Sequence, residues 1–206
     1  MRDKLDRYYT PDALAIAVVD AMIEEIGHIP RRVTEPSVGS GAFVRALRHR
    51  GHRGHIIGVD LDPDAHGLGM VDVPLVGNWI GDLGDTRDTR ADLIVGNPPY
   101  NAAEDHIRAS LDRAPMVLML LRLSILGSEG RAKLWWAHPP RMMWTIVGRP
   151  SYTGDGKSDN VDALAVLWDR HWPRRFGSRM GWLRDPATYG TRARAWTVSP
   201  YGPDHD

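Results

Sequence analysis

Val33-Thr34-Glu35-Pro36-Ser37-Val38-Gly39-Ser40-Gly41-Ala42-Phe43 is a short apolar run that breaks into glycines and resumes as helix-forming residues. Residues 33–38 read as a strand, 39–41 as a turn, and 42–47 as the start of a helix that stops near Arg50-Gly51. Glycines between a first strand and its helix let a ligand approach the backbone closely. A dinucleotide site would carry Gly-x-Gly-x-x-Gly, but Val44 stands where the third glycine belongs, and the Gly-Lys-Ser/Thr ending of a phosphate loop is missing too. An acid, Glu35, precedes the glycines instead, which suits a cationic ligand better than a pyrophosphate.

Working outward, Thr10-Pro11 opens a helix, with Thr as N-cap and Pro at the first helical position. Leu14, Ile16, Ala17, Val18, Ala21, Met22 and Ile26 give it a broad apolar face, and Gly27 stops it. Residues 55–60 form a second strand, 74–81 a third and 91–96 a fourth. Asn101-Ala102-Ala103-Glu104 resembles a capping box, predicting a helix to about Arg113. Residues 116–126 read as a buried strand running into a short helix. The last strands are expected at 134–138 and 162–169, joined by a Gly/Ser/Pro-rich loop over 148–160. Strands alternating with helices predict an α/β fold: a mostly parallel, twisted sheet with helices on both faces. The segment after Arg170 lacks clear periodicity and reads as an appendage, dividing the chain into 1–170 and 171–206.

The chemistry-bearing residues fall at predicted strand ends. Asp60 ends the second strand, where a carboxylate can bind ribose hydroxyls. Asp82, placed at the end of the third, can accept from an adenine amino group, with Leu83 packing on the ring. The fourth strand runs into Asn97-Pro98-Pro99-Tyr100. The prolines fix φ and remove backbone donors, leaving nearby carbonyls able to accept from a ligand. The Asn amide offers an acceptor and donors, and the Tyr ring offers a face for stacking. Two acceptors and a ring can hold a planar amine. The same four residues taken alone are also a proline-rich turn after a strand, and any single acid here is also a turn or cap residue.

The order Tyr9-Thr10-Pro11, then residues 35–43, Asp60, Asp82 and Asn97 to Tyr100 resembles the N6-adenine DNA methyltransferases, in the motif order of their gamma class, over roughly residues 8–170. The resemblance implies a Rossmann-like class I methyltransferase fold and S-adenosyl-L-methionine as cofactor. It implies that Tyr9, Thr10, Glu35, Pro36, Gly39, Gly41, Asp60, Asp82, Leu83 and Asn97 hold the cofactor, with Thr10 and Glu35 at its methionine end. Asn97, Pro98, Pro99 and Tyr100 would be catalytic. Asn97 and the Pro98 carbonyl would grip the target amine, and Tyr100, with Trp144 and Tyr152, would stack on the target base. The stretches 138–144 and 149–154 resemble the later target-side motif of these enzymes. The implied reaction is direct in-line transfer of a methyl group to adenine N6 in DNA, either a duplex with a flipped base or a single strand. Gamma-class enzymes carry a large target-recognition domain after the catalytic motif, whereas under 40 residues follow Asp169 here. Either the Arg/Trp segment and loop 148–160 read the site, or specificity is low, or a homodimer mate or specificity partner supplies it.

The chain has 206 residues and 23.0 kDa, with 42% hydrophobic and 25% charged residues, enough for one cored domain. It has no cysteine, which excludes disulfides, thiolate metal sites and cysteine nucleophiles. The nine histidines are scattered, so no metal is expected; His52 and His55 read as surface or capping residues. A charged N-terminus and the absence of a long apolar run predict a cytoplasmic protein without membrane contact. Net charge is zero but uneven. Acids dominate residues 55–105, whereas Arg170, Arg174, Arg175, Arg179, Arg184, Arg192 and Arg194 interleave with Trp172, Phe176, Trp182, Tyr189, Trp196 and Tyr201. That alternation suits a nucleic-acid strand with exposed bases, and equally an Arg/Trp packing flap. The other readings are an RNA adenine N6-methyltransferase, an N5-glutamine protein methyltransferase, a silent cofactor-binding subunit, and a nicotinamide dehydrogenase. The glycine pattern disfavours the last.

Overall fold

A computed structural model of the chain describes residues 9–81, 83, 89–148, 162–186 and 196–197. Nine strands among them form one sheet: β1 (Arg32–Glu35), β2 (His55–Asp60), β3 (Val73–Val76), β4 (Leu93–Gly96), β5 (Met116–Arg122), β6 (Met142–Val147), β7 (Ala163–Asp169), β8 (Arg179–Arg184) and β9 (Trp196–Thr197). Their order is β3-β2-β1-β4-β5-β7-β6-β8-β9. β1 to β5 pair in parallel, and β7 runs antiparallel to both β5 and β6. β8 pairs in parallel with β6, and β9 runs antiparallel to β8. The expected α/β, mostly parallel sheet is present, with one reversed strand inside it.

Helices α1 (Asp12–Ile26) and α2 (Ala42–His49) cover one face; α3 (Ala103–Arg113) and α4 (Glu129–Ala137) cover the other. Central strands buried on both faces read as unbroken apolar runs rather than alternations. Along β5, Leu118 and Leu120 join the core under α1 and α2, while Val117, Met119 and Leu121 join the core under α3 and α4. Each such side chain, fully buried, contributes about 1.5–3 kcal/mol. No helix among the described residues is long and apolar enough to cross a membrane.

Several expected elements shift. Thr10 is not the cap of α1: Pro11 holds the cap position, and the Thr10 hydroxyl accepts from Asn97 instead. Gly27 does close the helix in the left-handed conformation, its N–H donating to Ile23 O at 2.8 Å. Asn101 is not the cap of α3, because a 3-10 turn over Tyr100–Ala102 precedes it. β3 stops at Val76, so Asp82, outside the described residues, lies six positions beyond its tip. Residues 134–138, expected as a strand, belong mainly to α4. Leu134 is buried and Trp136 is 79% exposed, a one-sided pattern that suits a surface helix. The strand of this region is β6, whose side chains alternate between buried and half-buried.

Within the expected appendage, β8 and β9 extend the same sheet. Several arginines in and beside it bond to the body of the chain. Arg170 donates to Leu111 O at 2.6 Å and Arg174 to Ala137 O at 2.8 Å. Arg141 and Arg179 both bond Glu25 of α1 and lie against the Trp172 ring, at 4.7 and 4.8 Å from its centroid. While Phe176 and Trp182 are exposed, Arg174, Arg179 and Trp172 thus pack against the body of the chain. His52 is likewise no surface residue: it is buried, with Nε2 3.0 Å from Pro30 O.

Candidate functional site

Three strand tips meet where the order passes from β2 through β1 to β4. Glu35 ends β1, Asp60 ends β2 and Gly96 ends β4. Connections leave such a point in opposite directions and open a crevice at the carboxyl edge. The crevice here is lined by Tyr9, Pro36, Ser37, Gly39, Asp60 to Asp62, Gly77 to Trp79, Asn97 to Tyr100 and His106. A smaller recess continues from it between Thr10, Glu35, Ser40 and Asn97.

The glycine turn is fixed by backbone bonds. Gly41 N–H donates to Val38 O at 2.7 Å, Val38 N–H to Val59 O at 2.9 Å, and Gly67 N–H to Gly39 O at 2.8 Å. Gly41 has φ +81°, and a Cβ there would sit 2.8 Å from Met70 Sδ and 3.1 Å from Gly67 Cα. Only glycine satisfies both the backbone angle and the space. Asp60 ties the turn to its strand: Oδ2 accepts from Gly39 N–H at 2.8 Å and Oδ1 from Asp62 N–H at 3.0 Å. Each oxygen keeps a second lone pair, so the carboxylate can still take a hydroxyl donor.

Glu35 is 2% exposed. Burial pushes its carboxyl well above the usual carboxylate range; a hydrogen bond from the Val44 backbone and the Arg45 charge pull it back, and Asp60 adds to the rise. Its Oε2 has no hydrogen-bond partner among the described residues. A buried acid oxygen of this kind, at the wall of a recess, fits a cationic group. Across the recess, Asn97 Nδ2 donates to Thr10 Oγ1 at 3.1 Å, joining residues 87 apart in sequence. Tyr100 lines the crevice, with the Arg122 guanidinium 4.3 Å from its ring centroid.

The crevice thus gathers Tyr9, Pro36, Gly39, Asp60, Asn97, Pro98, Pro99 and Tyr100, with Thr10 and Glu35 in the recess. Gly41 shapes the turn from behind. Leu83 is not in the lining: it packs over Gly77, and its N–H donates to Asn78 O at 3.2 Å. Trp144 is a correction. It is 1% exposed and sits in the core with Met142 and Ile146, because those three share the inward face of β6. Asp82 and Tyr152 lie outside the described residues.

Sequence reasoning missed Trp79 and His106. Trp79 is 1% exposed; its Nε1 donates to Ser110 Oγ at 3.2 Å, and Arg113 covers its ring at 4.2 Å. His106 is 5% exposed and lowered to about 4, first by burial and then by the Arg113 charge, so its imidazole is neutral near pH 7. The available signal was helical: His106 and Ser110 are polar residues on the face that Ala103 and Ile107 bury.

No protein-family model matches the chain. Over 97 residues it is 34% identical to the type II methyltransferase M.CvrRI of Paramecium bursaria Chlorella virus XZ-6E, covering 45% of this chain and 24% of that protein. The chain therefore spans about a quarter of the length of this curated relative. Among solved structures, PH1948 from Pyrococcus horikoshii, provisionally assigned as an RNA methyltransferase, superposes with a TM-score of 0.61 at 15% identity, over 80% of this chain and 88% of that one. The M protein of the type I restriction enzyme EcoKI gives 0.61 at 14%, over 87% and 49%. The METTL16 methyltransferase domain gives 0.55 at 13%, over 79% and 84%. The fold of this chain is the Rossmann-like methyltransferase fold, with the antiparallel β7 set into an otherwise parallel core.

Proposed function

We propose that this chain is an S-adenosyl-L-methionine-dependent methyltransferase acting on the N6 amine of adenine in DNA. The observation that carries the reading is the meeting, at one crevice and its adjoining recess, of Asp60 and Glu35 with Asn97-Pro98-Pro99-Tyr100. The sequence likeness to a viral type II methyltransferase favours DNA as the polymer.

Glu35 and Thr10 would hold the methionine end of the cofactor, Asp60 the ribose, and the walls at Gly77 to Trp79 and His106 the base. The cofactor, when bound, supplies an electrophilic methyl group on a sulfonium. The chain's part is to prepare the other reactant. Adenine N6 is a poor nucleophile because its lone pair is delocalised into the ring. Asn97 donates through Nδ2 to Thr10, so the amide meets a target amine through its acceptor oxygen. Together with the Pro98 carbonyl, that oxygen takes both amine hydrogens and favours a pyramidal nitrogen with a localised pair. Tyr100 stacks on the base and offsets the cost of removing it from the helix, with stacking worth about 1–3 kcal/mol per base. Positioning of this kind supplies much of the acceleration when the electrophile is already strong.

The test offers labelled S-adenosyl-L-methionine with DNA, RNA and protein, followed by nucleoside analysis. Label in N6-methyladenine of DNA is the expected result. Label in glutamine, or in RNA alone, would replace this reading by one of its rivals.

A further inference from the structure

β4 ends at Gly96, whose register partner is Met119. β5 continues three residues further, to Arg122, and so reaches the level of the tetrapeptide beyond β4. Arg122 is anchored there by pairing with Ala163 of β7, and the next residue, Leu123, donates its N–H to Asp162 O at 2.8 Å. Its guanidinium lies 4.3 Å from the Tyr100 ring centroid. Tyr100 divides two clefts. One is the crevice with Asn97 and Pro98; the other is lined by Asn101, Glu104, Ser124 and Arg131. Arg122 lines the second cleft and not the first. The cation thus meets the ring from the second cleft, whereas Asn97 lines the first.

Tyr100 itself belongs to a three-residue 3-10 turn, a weak frame for a ring that must lie flat against a base. A planar cation held by the end of a central strand is a firmer one. Guanidinium groups stack on aromatic faces, whereas lysine offers a point charge on a mobile stem. We propose that Arg122 is a positioning residue that clamps the Tyr100 ring from behind, leaving the Asn97 side as the single face on which a target base stacks. This rests on the reading of the site given above. It also fixes the direction of approach: a base enters from the crevice side, and the second cleft stays behind the ring.

The test uses the full chain and three variants, Arg122→Leu, Arg122→Lys and Tyr100→Leu, with the Arg122→Leu/Tyr100→Leu pair. Single-turnover methyl transfer is followed on genomic DNA lacking N6-methyladenine, and S-adenosylhomocysteine binding is followed by calorimetry. Loss of the stack should slow transfer about 2- to 30-fold, the range for such contacts from exposed to desolvated settings. Arg122→Lys should fall between Arg122→Leu and the parent. S-adenosylhomocysteine affinity should stay at the parent value, so that the loss falls on the transfer step, which a merely structural arginine would not allow. In the Tyr100→Leu background, Arg122→Leu should add no further loss. Parent-level transfer by Arg122→Leu, or losses that simply add in the pair, would overturn the inference while leaving the proposed function intact. A parent chain that binds S-adenosylhomocysteine yet methylates no DNA refutes the proposed function, and the clamp falls with it.

Discussion

Replacing Glu35 by Gln should move two measurements in opposite directions. The carboxyl is 2% exposed, and its Oε2 has no partner among the described residues. Burial raises its pKa above the unfolded value. An acid raised on folding contributes stability that is present below the unfolded pKa and lost as pH rises through the folded one. At neutral pH the ligand-free chain therefore carries a penalty, which Gln removes while keeping the shape and an acceptor for the Val44 backbone. A buried group lacking its partner costs about 1–3 kcal/mol. Relief of that size raises the melting temperature by about 2–4 °C for each kcal/mol in a chain of this length. Binding goes the other way. S-adenosylhomocysteine carries the ammonium that Glu35 is proposed to hold. Hydrogen bonds to charged groups are worth about 1.5–3 kcal/mol, so affinity should fall about 10- to 150-fold. In the parent, affinity should climb as pH rises through the raised pKa of Glu35, with a proton released on binding; in Glu35→Gln it should be flat. Thermal melting without ligand and calorimetry in buffers of different ionisation heat read both effects. A Glu35→Gln chain that melts lower and binds S-adenosylhomocysteine as tightly as the parent would falsify the assignment and make Glu35 a structural acid.

Asn97→Ala should abolish methyl transfer yet largely spare S-adenosylhomocysteine binding, as a filter-binding and activity pair would show; full transfer activity would rule out the amine-gripping role. Gly41→Ala places a methyl group against Met70 and Gly67 at φ +81°, so it should cost at least about 1 kcal/mol of stability, read from urea midpoints. Trp144→Ala should cost about 3–5 kcal/mol, as a core truncation does; a variant with parent stability and weakened DNA binding would restore Trp144 to the substrate side. His106 is lowered to about 4, so the stability it confers is present above its unfolded pKa near 6.5 and lost as pH falls toward 4. Replacing it with Phe should remove an acid sensitivity of the order of 3 kcal/mol, by about 1.36 kcal/mol per pK unit. Parallel acid melts of the two chains would contradict this.

The parts legible in the sequence were those where local and global demands agree. β2 falls on residues 55–60 as read, because an apolar run ending in an acid has one natural place in a parallel sheet. The glycine turn and α2 follow for the same reason. β3 was blurred because it is a four-residue edge strand whose side chains are exposed or half-buried, giving weak periodicity. α4 was mistaken for a strand because its two tryptophans carry β-like composition while their burial is one-sided. β8 was hidden because its pattern is inverted: Gly181 and Leu183 face the core, while Met180 and Trp182 face outward. Within the site, strand-end acids and the tetrapeptide could be read from spacing. The Thr10–Asn97 bond, the Trp79 wall and the Arg122 stack could not, since each joins residues that only the fold brings together.

The Glu25 knot carries a consequence for how the chain matures. Its arginine partners lie 116 and 154 residues downstream, at the starts of β6 and β8. The helix it belongs to begins two residues after Thr10, the hydroxyl that Asn97 engages. Contacts of such sequence separation form slowly, because loop closure must precede any reward. During synthesis, α1 emerges well before those strands and must wait for them before its last turn is fastened. Thr10 reaches Asn97 from the residues just before that same helix. The crevice should thus be among the last features to become rigid on the ribosome, and a ligand that bridges Thr10 and Asn97 would favour completion of the fold.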